Sequence, residues 1–341
     1  MKSRYSSVLL CSILLIVSFT SIGCSNSISL NEQKQIVQEI LDLNNATRTV
    51  EDVASFSGKT IRGLYLQRIK IDTLPPSVGK LVYLDALSAG KGNLRSIPAQ
   101  IGNLVNLKNL NFEENNLTSL PDEICNLVKL EEMNLEMNEL KNLPENMGDL
   151  KNLRDLRLAF NQLEKLPQSI GDCELIETLT LNDNRLIALP EGIGNMSRLK
   201  KLPAHRNRIE SLPVDMSRMT KLNEISLVEN ELTKFPEGIT TIPNVRFIGV
   251  DDNQIPAVPP SIIDLTKLEG LGLANNRLNS LPPFITELTT LAGLNIAEND
   301  ISRIPADLCN MPNLVVLRVQ DNPFDNLPSC LLQKQFETFV Y

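Results

Sequence analysis

The hydrophobic and polar positions of the chain repeat with a fixed period of 23 residues. Proline stands at position 75 and at every 23rd residue from there to 328, twelve times in all. Eleven residues before each of these prolines stands Leu, Ile or Met, and nine residues before it stands a second apolar column, in which Ala89 and Ala204 are the smallest members. One variable residue separates the two columns, as in a short strand with one buried face. The period predicts a repeat array in which each unit contributes one strand.

Asparagine forms a third column, six residues before the proline. Its amide carries donors and an acceptor, so that one buried side chain can satisfy loop backbone groups of its own coil and of a neighbouring coil. We therefore expect a structural ladder in which every rung meets the next. The proline fits a turn away from the strand, where it fixes φ and needs no ladder hydrogen bond. The ladder residues are Asn115, Asn138, Asn161, Asn184, Asn207, Asn230, Asn253, Asn276, Asn299 and Asn322.

Together the columns give LxxLxLxxNxLxxLPxxIGxLxxL, a pattern that resembles the leucine-rich repeat family in its 23-residue class. The resemblance covers residues 64 to about 332. It implies an α/β repeat fold: a solenoid with a curved parallel β-sheet on the concave face, short turns and 3-10 segments on the convex face, and helical caps. It also implies that the protein binds another protein through variable positions on the concave face.

The first residues of the chain differ in composition from the array. Lys2 and Arg4 are followed by an apolar run over 8–19 and by small residues that end at Cys24, which is the layout of a signal peptide. The stretch SIGC resembles a bacterial lipobox, although Ser21 stands where that motif usually has Leu. We predict export and a lipid on Cys24 as the only membrane attachment, at the outer membrane or cell surface. A plain secretory signal with an incidental cysteine is the alternative.

The two ends of the array need caps, because a terminal coil would otherwise expose its apolar face. In the first cap one helical face is expected to turn inward with Ile36, Val37, Ile40 and Leu41. In the second cap a helix is expected to turn inward with Leu332, Phe336 and Phe339. The predicted segments are a signal peptide over 1–23, an anchor and tether over 24–30, a cap and irregular lead-in over 31–63, twelve repeats over 64–328 and a cap over 329–341.

Composition and residue spacing exclude several classes of ligand and of activity. The formal net charge is −8, whereas phosphate binding needs a basic face, so nucleic acid is not expected as a partner. Neither a Cys-x-x-Cys pair nor a metal-ligand spacing occurs, and we expect no metal or cofactor. The sole histidine, His205, stands among cations, and no Ser/His/Asp order is readable, so an enzyme is not expected. Cys173 is predicted to be a buried thiol, and the sequence leaves open whether Cys309 and Cys330 form a disulfide.

The residues twelve, ten, eight, seven and five positions before each proline are expected to face a ligand. Their charge is acidic in repeats three and four, basic in repeats five to seven and acidic again in repeats eight and nine, which could steer a partner. The alternative is a solvated face whose charges pair across coils. Pro203 lies inside a predicted strand and should distort the sheet there. A cluster of glycines on outward strand positions of repeats nine to eleven suggests close approach by a ligand. The alternative for both features is weak selection on residues that contact only water. The candidate ligand-binding residues are Arg157, Phe160, Arg185, His205, Arg206, Arg208, Phe247, Gly249, Asp251, Gly270, Gly272 and Gly293.

These features predict a monomeric, protein-binding leucine-rich repeat lipoprotein of the bacterial envelope. The leading hypothesis is a surface-displayed, adhesin-like binder of a host or matrix protein. A periplasmic or envelope scaffold that binds another bacterial protein is the alternative. Carbohydrate binding is less favoured, because aromatic residues make up only 4% of the chain.

Overall fold

The computed structural model describes residues 28–341, which form one sheet of fourteen strands that follow one another in chain order. The first two strands pair antiparallel, and every later neighbour pair is parallel. A sheet that gains one strand per repeat is a solenoid, so the predicted fold class is confirmed. The strands are β1 Ala54–Ser57, β2 Thr60–Tyr65, β3 Ala86–Ser88, β4 Asn109–Asn111, β5 Glu132–Asn134, β6 Asp155–Arg157, β7 Thr178–Thr180, β8 Lys201–Pro203, β9 Glu224–Ser226, β10 Phe247–Gly249, β11 Gly270–Gly272, β12 Gly293–Asn295, β13 Val316–Arg318 and β14 Thr338–Val340.

The core is a continuous stack of equivalent side chains. Except between β7 and β8 and between β13 and β14, the central residue of each repeat strand pairs with the residue 23 positions further on, as Leu87 does with Leu110 and Leu271 does with Leu294. These four side chains are at most 2% exposed. The apolar column that follows the strand is also buried, including the small member Ala204. Because no coil buries its apolar residues alone, stability depends on contacts between neighbours.

Short 3-10 segments run along the side of the coils away from the sheet. Most begin directly after the repeat proline, whose fixed φ suits the turn, as at Pro98 with φ −69°. A Cβ on Gly102 would lie 2.4 Å from the carbonyl oxygen of Glu123, so glycine lets successive 3-10 segments approach closely. The segments are Pro76–Lys80, Ala99–Asn103, Asp122–Asn126, Met147–Asp149, Gln168–Asp172, Glu191–Asn195, Glu237–Thr241, Pro260–Asp264, Pro283–Glu287 and Ala306–Asn310.

The N-terminal end of the sheet is covered by two helices and a hairpin. Helix α1 (Leu30–Leu43) begins with a capping box of Ser29 and Glu32, and helix α2 (Val50–Val53) leads into the β1–β2 hairpin. The α1 face predicted to turn inward is buried, as expected. Its buried Gln33 accepts a hydrogen bond from the Ile61 backbone N–H at 2.8 Å and thereby ties the helix to the sheet.

The C-terminal end differs from the predicted helical cap. Helix α3 (Ser329–Gln333) is only five residues long, and the chain then returns to the sheet as β14. The prediction that Leu332 turns inward is wrong, since it is 56% exposed while Leu331 is fully buried. Leu331 lies three residues after Pro328 and so keeps the buried slot of the repeat. Phe336 and Phe339 are partly buried against the core, and Cys309 and Cys330 form a disulfide.

Candidate functional site

The concave face exposes two kinds of position in every coil. Two outward residues of each strand flank the buried central residue, and three more lie in the loop that leaves the strand. Seven residues before the proline, this loop adopts a left-handed conformation with φ between 47° and 64° in all twelve coils, although no glycine occurs there. That conformation costs roughly 1–2 kcal/mol per non-glycine residue. The residues are Arg68, Lys91, Glu114, Met137, Phe160, Asp183, Arg206, Glu229, Asp252, Asn275, Glu298 and Asp321.

The asparagine that follows the left-handed residue holds the loop in place. In Asn207, Nδ2 donates to the carbonyl oxygens of Ala204 (3.1 Å) and His205 (3.2 Å) in its own coil and of Leu181 (2.9 Å) in the preceding coil. Its Oδ1 accepts from the Leu186 backbone N–H at 2.9 Å. In all ten ladder asparagines, Oδ1 accepts a hydrogen bond from a backbone N–H of the preceding coil and Nδ2 donates one to a carbonyl oxygen of that coil. Nine of these side chains are buried, and that of Asn322 is partly buried. The concave side chains therefore project from a rigid frame.

The basic residues at the centre of the face are in large part paired with acids. Arg206 reaches Glu229 of the next coil at 3.2 Å and Asp183 of the preceding coil at 3.7 Å. The hydrogen bond that Arg206 donates to Glu229 and the charges of both acids raise the pKa of Arg206. His205 Nε2 lies 3.9 Å from Asp183, and Lys201 contacts Glu224 at 2.5 Å. These basic side chains thus form ion pairs with acids of neighbouring coils, which is the alternative to an open basic patch.

The remaining central candidates have different surroundings. Arg157 binds Asp155 of its own strand at 2.8 Å, and this hydrogen bond raises the pKa of the guanidinium. Arg185 and Arg208 are exposed and form no ion pair with any residue in 28–341. Phe160 is 46% exposed and is a large apolar group close to this centre.

The strand that contains Pro203 is irregular on one side. Strand β8 pairs with β9 through three residue pairs but with β7 through Thr178 and Lys201 alone. A proline has no N–H to donate to the sheet, which explains the loss. The structure therefore places the expected distortion directly beside His205.

Four of the candidate glycines form the floor of a shallow depression, which we call the glycine hollow. Gly249, Gly270, Gly272 and Gly293 lie on neighbouring outward positions of β10–β12. The depression has a volume of about 330 Å³. Its walls include Phe247, Asp251, Asn295, Val316 and Arg318.

Asp251 is the one acidic wall residue that is held over this floor. Its Oδ1 accepts hydrogen bonds from the Ala274 backbone N–H at 2.9 Å and from Asn295 Nδ2 at 3.1 Å. Burial raises the pKa of the carboxyl despite these bonds. No Lys, Arg or His among the described residues forms an ion pair with Asp251. The carboxylate is thus oriented but not neutralised.

A second depression, which we call the polar hollow, was missed by the sequence reasoning. It lies over β2–β6 and has a volume of about 270 Å³. Ala86 and Ser88 leave space on outward positions of β3, beside the larger Tyr65. That run of small residues between larger ones was the available signal. The other polar lining residues are Gln67, Asn109, Asn111, Glu132, Asn134, Asp155 and Arg157.

The described residues contain no cluster of three or more His, Cys, Asp or Glu side chains arranged to hold a metal ion. Within residues 28–341, no helix is both long and apolar enough to span a membrane. Cys125 and Cys173 are buried thiols whose pKa values burial raises to about 11 and about 12. The predicted lipidation site Cys24 and the predicted signal peptide lie outside the described residues.

Known proteins share this architecture. No curated protein matches the chain. Among solved structures, a leucine-rich repeat protein of Leptospira interrogans is 28% identical with a TM-score of 0.61, over 82% of this chain and 83% of that one. The PEPR1–AtPEP1 complex is 26% identical with a TM-score of 0.72, over 91% of this chain and 49% of that one. An internalin of Listeria monocytogenes shares the fold at 16% identity and a TM-score of 0.61, over 91% of this chain and 94% of that one.

The family assignment rests on the sequence as well as on the fold. A family model described as a leucine-rich repeat region matches residues 16–165 and 145–251, which is more than half of the chain. The buried Leu columns, the asparagine ladder and the sheet of one strand per repeat are the structural counterpart of that match. The chain belongs to the leucine-rich repeat family.

Proposed function

We propose that this protein is a lipoprotein of the bacterial cell envelope that is displayed at the surface and recognises a host or matrix protein through its concave face. The observation that carries the proposal is the rigid concave sheet, on which outward-facing positions follow one another in register from strand to strand. Preorganised side chains lose little conformational freedom on binding. This is the arrangement expected of a surface that recognises another folded or extended chain.

The size of the face supports a protein as the ligand. Fourteen strands at about 4.8 Å spacing give a sheet roughly 60 Å long. A standard protein interface needs about 800 Å² on each partner. Similarity to a Leptospira leucine-rich repeat protein supports a bacterial protein of this class, and similarity to the PEPR1–AtPEP1 complex supports binding of a polypeptide.

The envelope location rests on the N-terminal segment, with its basic start, apolar run and Cys24. Protease shaving of intact cells tests it, with native protein compared with Cys24→Ala and with a periplasmic protein as the leak control. Loss of the native protein while the control stays intact is the expected result. Full protection of the native protein would contradict surface display and favour an envelope scaffold.

Capture of a partner tests the binding face itself. Phe160→Glu places a charge on the concave face, whereas Val214→Glu places the same charge at a position that is 78% exposed and follows Pro213, away from the sheet. We expect the first variant to lose a partner captured from host or envelope extracts and the second to retain it. Equal capture by both variants would contradict binding through the concave face.

A further inference from the structure

The glycine hollow is built by side chains that use the space the glycines leave. A Cβ on Gly272 would lie 2.1 Å from Asp251 Oδ2, and a Cβ on Gly270 would lie 2.8 Å from Cδ1 of Phe247. Glycine in a strand lowers the stability of the sheet. Glycine is nevertheless required at these two positions, because the side chains of Asp251 and Phe247 occupy the space that a Cβ would need. Gly293 differs, because a Cβ there would meet only Val316 at 3.9 Å. The floor is therefore covered by Asp251 and Phe247 at one end and open at the other.

The carboxylate of Asp251 has one oxygen that other described residues bind and one that they leave free. Oδ1 takes the two hydrogen bonds from Ala274 and Asn295, whereas Oδ2 lies over Gly272 and accepts none from another described residue. A partly desolvated carboxylate gains most from a cation that replaces its lost hydration. The other acid that lines the hollow, Glu224, is already paired with Lys201. The demand for a cation is thus local to Asp251.

We propose that the glycine hollow takes a basic side chain, Lys or Arg, from an extended segment of the protein partner. Its charged group binds Oδ2 of Asp251, and its aliphatic stem lies on the open floor at Gly293, since such stems pack on apolar surface while the head stays charged. The exposed ring of Phe247 supplies one wall and a further attraction for the cation. This inference rests on the proposed protein-binding function and names the chemistry of one contact.

The far wall sets the direction of the segment. Arg318 is exposed and forms no ion pair with residues 28–341, and its strand β13 lies two strands from β11, where Oδ2 of Asp251 lies over Gly272. Two strand spacings are about 10 Å, the length of about three residues of an extended chain. The segment therefore carries an acidic residue about three positions from the basic one. The polar hollow differs, because its Asp155 is already paired with Arg157 and its other acid, Glu132, is exposed to solvent.

Selection from a phage library of random 12-residue peptides tests the proposal on the detergent-solubilised full-length chain. We expect enriched peptides to contain Lys or Arg with an acidic residue about three positions away. Fluorescence anisotropy then compares variants. Asp251→Asn keeps the acceptor for Ala274 and should weaken binding about tenfold, the scale of one charge-assisted hydrogen bond. Asp252→Asn, which removes the same charge one residue away, should change it no more than about twofold.

A second variant, in the floor of the hollow, tests the same contact in case Asp251→Asn misfolds. Gly293→Leu fills open space and should also weaken the peptide about tenfold while the melting temperature is unchanged. Enriched peptides without a basic residue, an absence of enriched peptides, or equal binding to Asp251→Asn would each overturn the inference. If a captured partner binds Asp251→Asn normally, the inference fails and the proposed function stands. If the wild-type protein captures no partner, the proposed function fails whatever the peptides show.

Discussion

The central coils and the glycine hollow both carry charge on the concave face, but acids on neighbouring coils neutralise Arg206 at the centre, whereas no neighbouring cation among the described residues neutralises Asp251 in the hollow. Arg206 is held between Glu229 and Asp183, each on a neighbouring coil. Asp251 instead has Gly272 and Ala274 on the next coil, and no cation within ion-pair distance among residues 28–341. A strict repeat brings equivalent positions of successive coils side by side, so opposite charges there pair with each other. A charge flanked by small residues remains available for a partner.

The comparison assumes that the same asparagine ladder supports both regions. Replacing ladder residues tests this assumption and should have the largest effect on the free energy of unfolding. Asn207→Leu and Asn253→Leu each leave one backbone N–H without a partner, that of Leu186 or Leu232, and remove one of two hydrogen bonds from three carbonyl groups. The unsatisfied N–H costs about 1–3 kcal/mol of unfolding free energy. Urea unfolding should show similar losses for the two variants, with exposed Asn279→Leu as the control. A loss confined to one region would break the assumption of a uniform frame.

Alanine in the hollow sharpens the comparison at the next scale. Gly272→Ala displaces the Asp251 carboxylate from its hydrogen bonds and should cost about 1–2 kcal/mol of unfolding free energy. Gly293→Ala is the matched control, because its Cβ meets open space. Alanine also has less conformational entropy than glycine in the unfolded chain, so the free energy of unfolding should stay the same or rise by about 0.4–1 kcal/mol. Equal stability of the two variants would show that Asp251 is not held over Gly272.

The two regions should also respond to pH in opposite directions. Burial raises the pKa of Asp251, so its contribution to stability is present at low pH and is lost as pH rises through that pKa. Near the centre, hydrogen bonds from Lys200 and Arg154 lower the pKa of Glu177, whose contribution is present above its ordinary pKa and is lost as pH falls. Carboxyl NMR titrations of wild type against Asp251→Asn and Glu177→Gln check both directions. Titration of both groups on the same side of their ordinary values would contradict the contrast.

The smallest effect on the fold is expected from reversal of the central cations. Arg206→Glu together with Arg208→Glu removes exposed ion pairs, which stabilise little, so the melting curve should hardly move at 0.15 M salt. Binding of a captured partner should weaken if the unpaired Arg208 contacts it. Unchanged affinity would assign recognition to the two hollows instead, and circular dichroism on the double variant serves as the folding control.

The repeat could be predicted from sequence because its signals are local. The buried columns, the strand positions and the asparagine spacing each depend on residue type at a fixed offset. The left-handed residues escaped notice, since Arg68, Met137 and Phe160 give no glycine signature and the asparagine beside them supplies the support. The strand at the C-terminus was missed because Thr338–Val340 has no repeat proline after it. Which charges are paired depends on contacts between coils, which residue type alone does not specify.

The central claim is that the concave face contacts a protein partner, and site-specific photo-crosslinking in living cells tests it most directly. A photo-reactive phenylalanine would replace Phe247 at the glycine hollow, Phe160 at the centre, or Val214 away from the sheet, all of them exposed. The account predicts a discrete protein adduct from Phe247 and Phe160 and none from Val214. An adduct from Val214 alone, or equal adducts from all three positions, would contradict it.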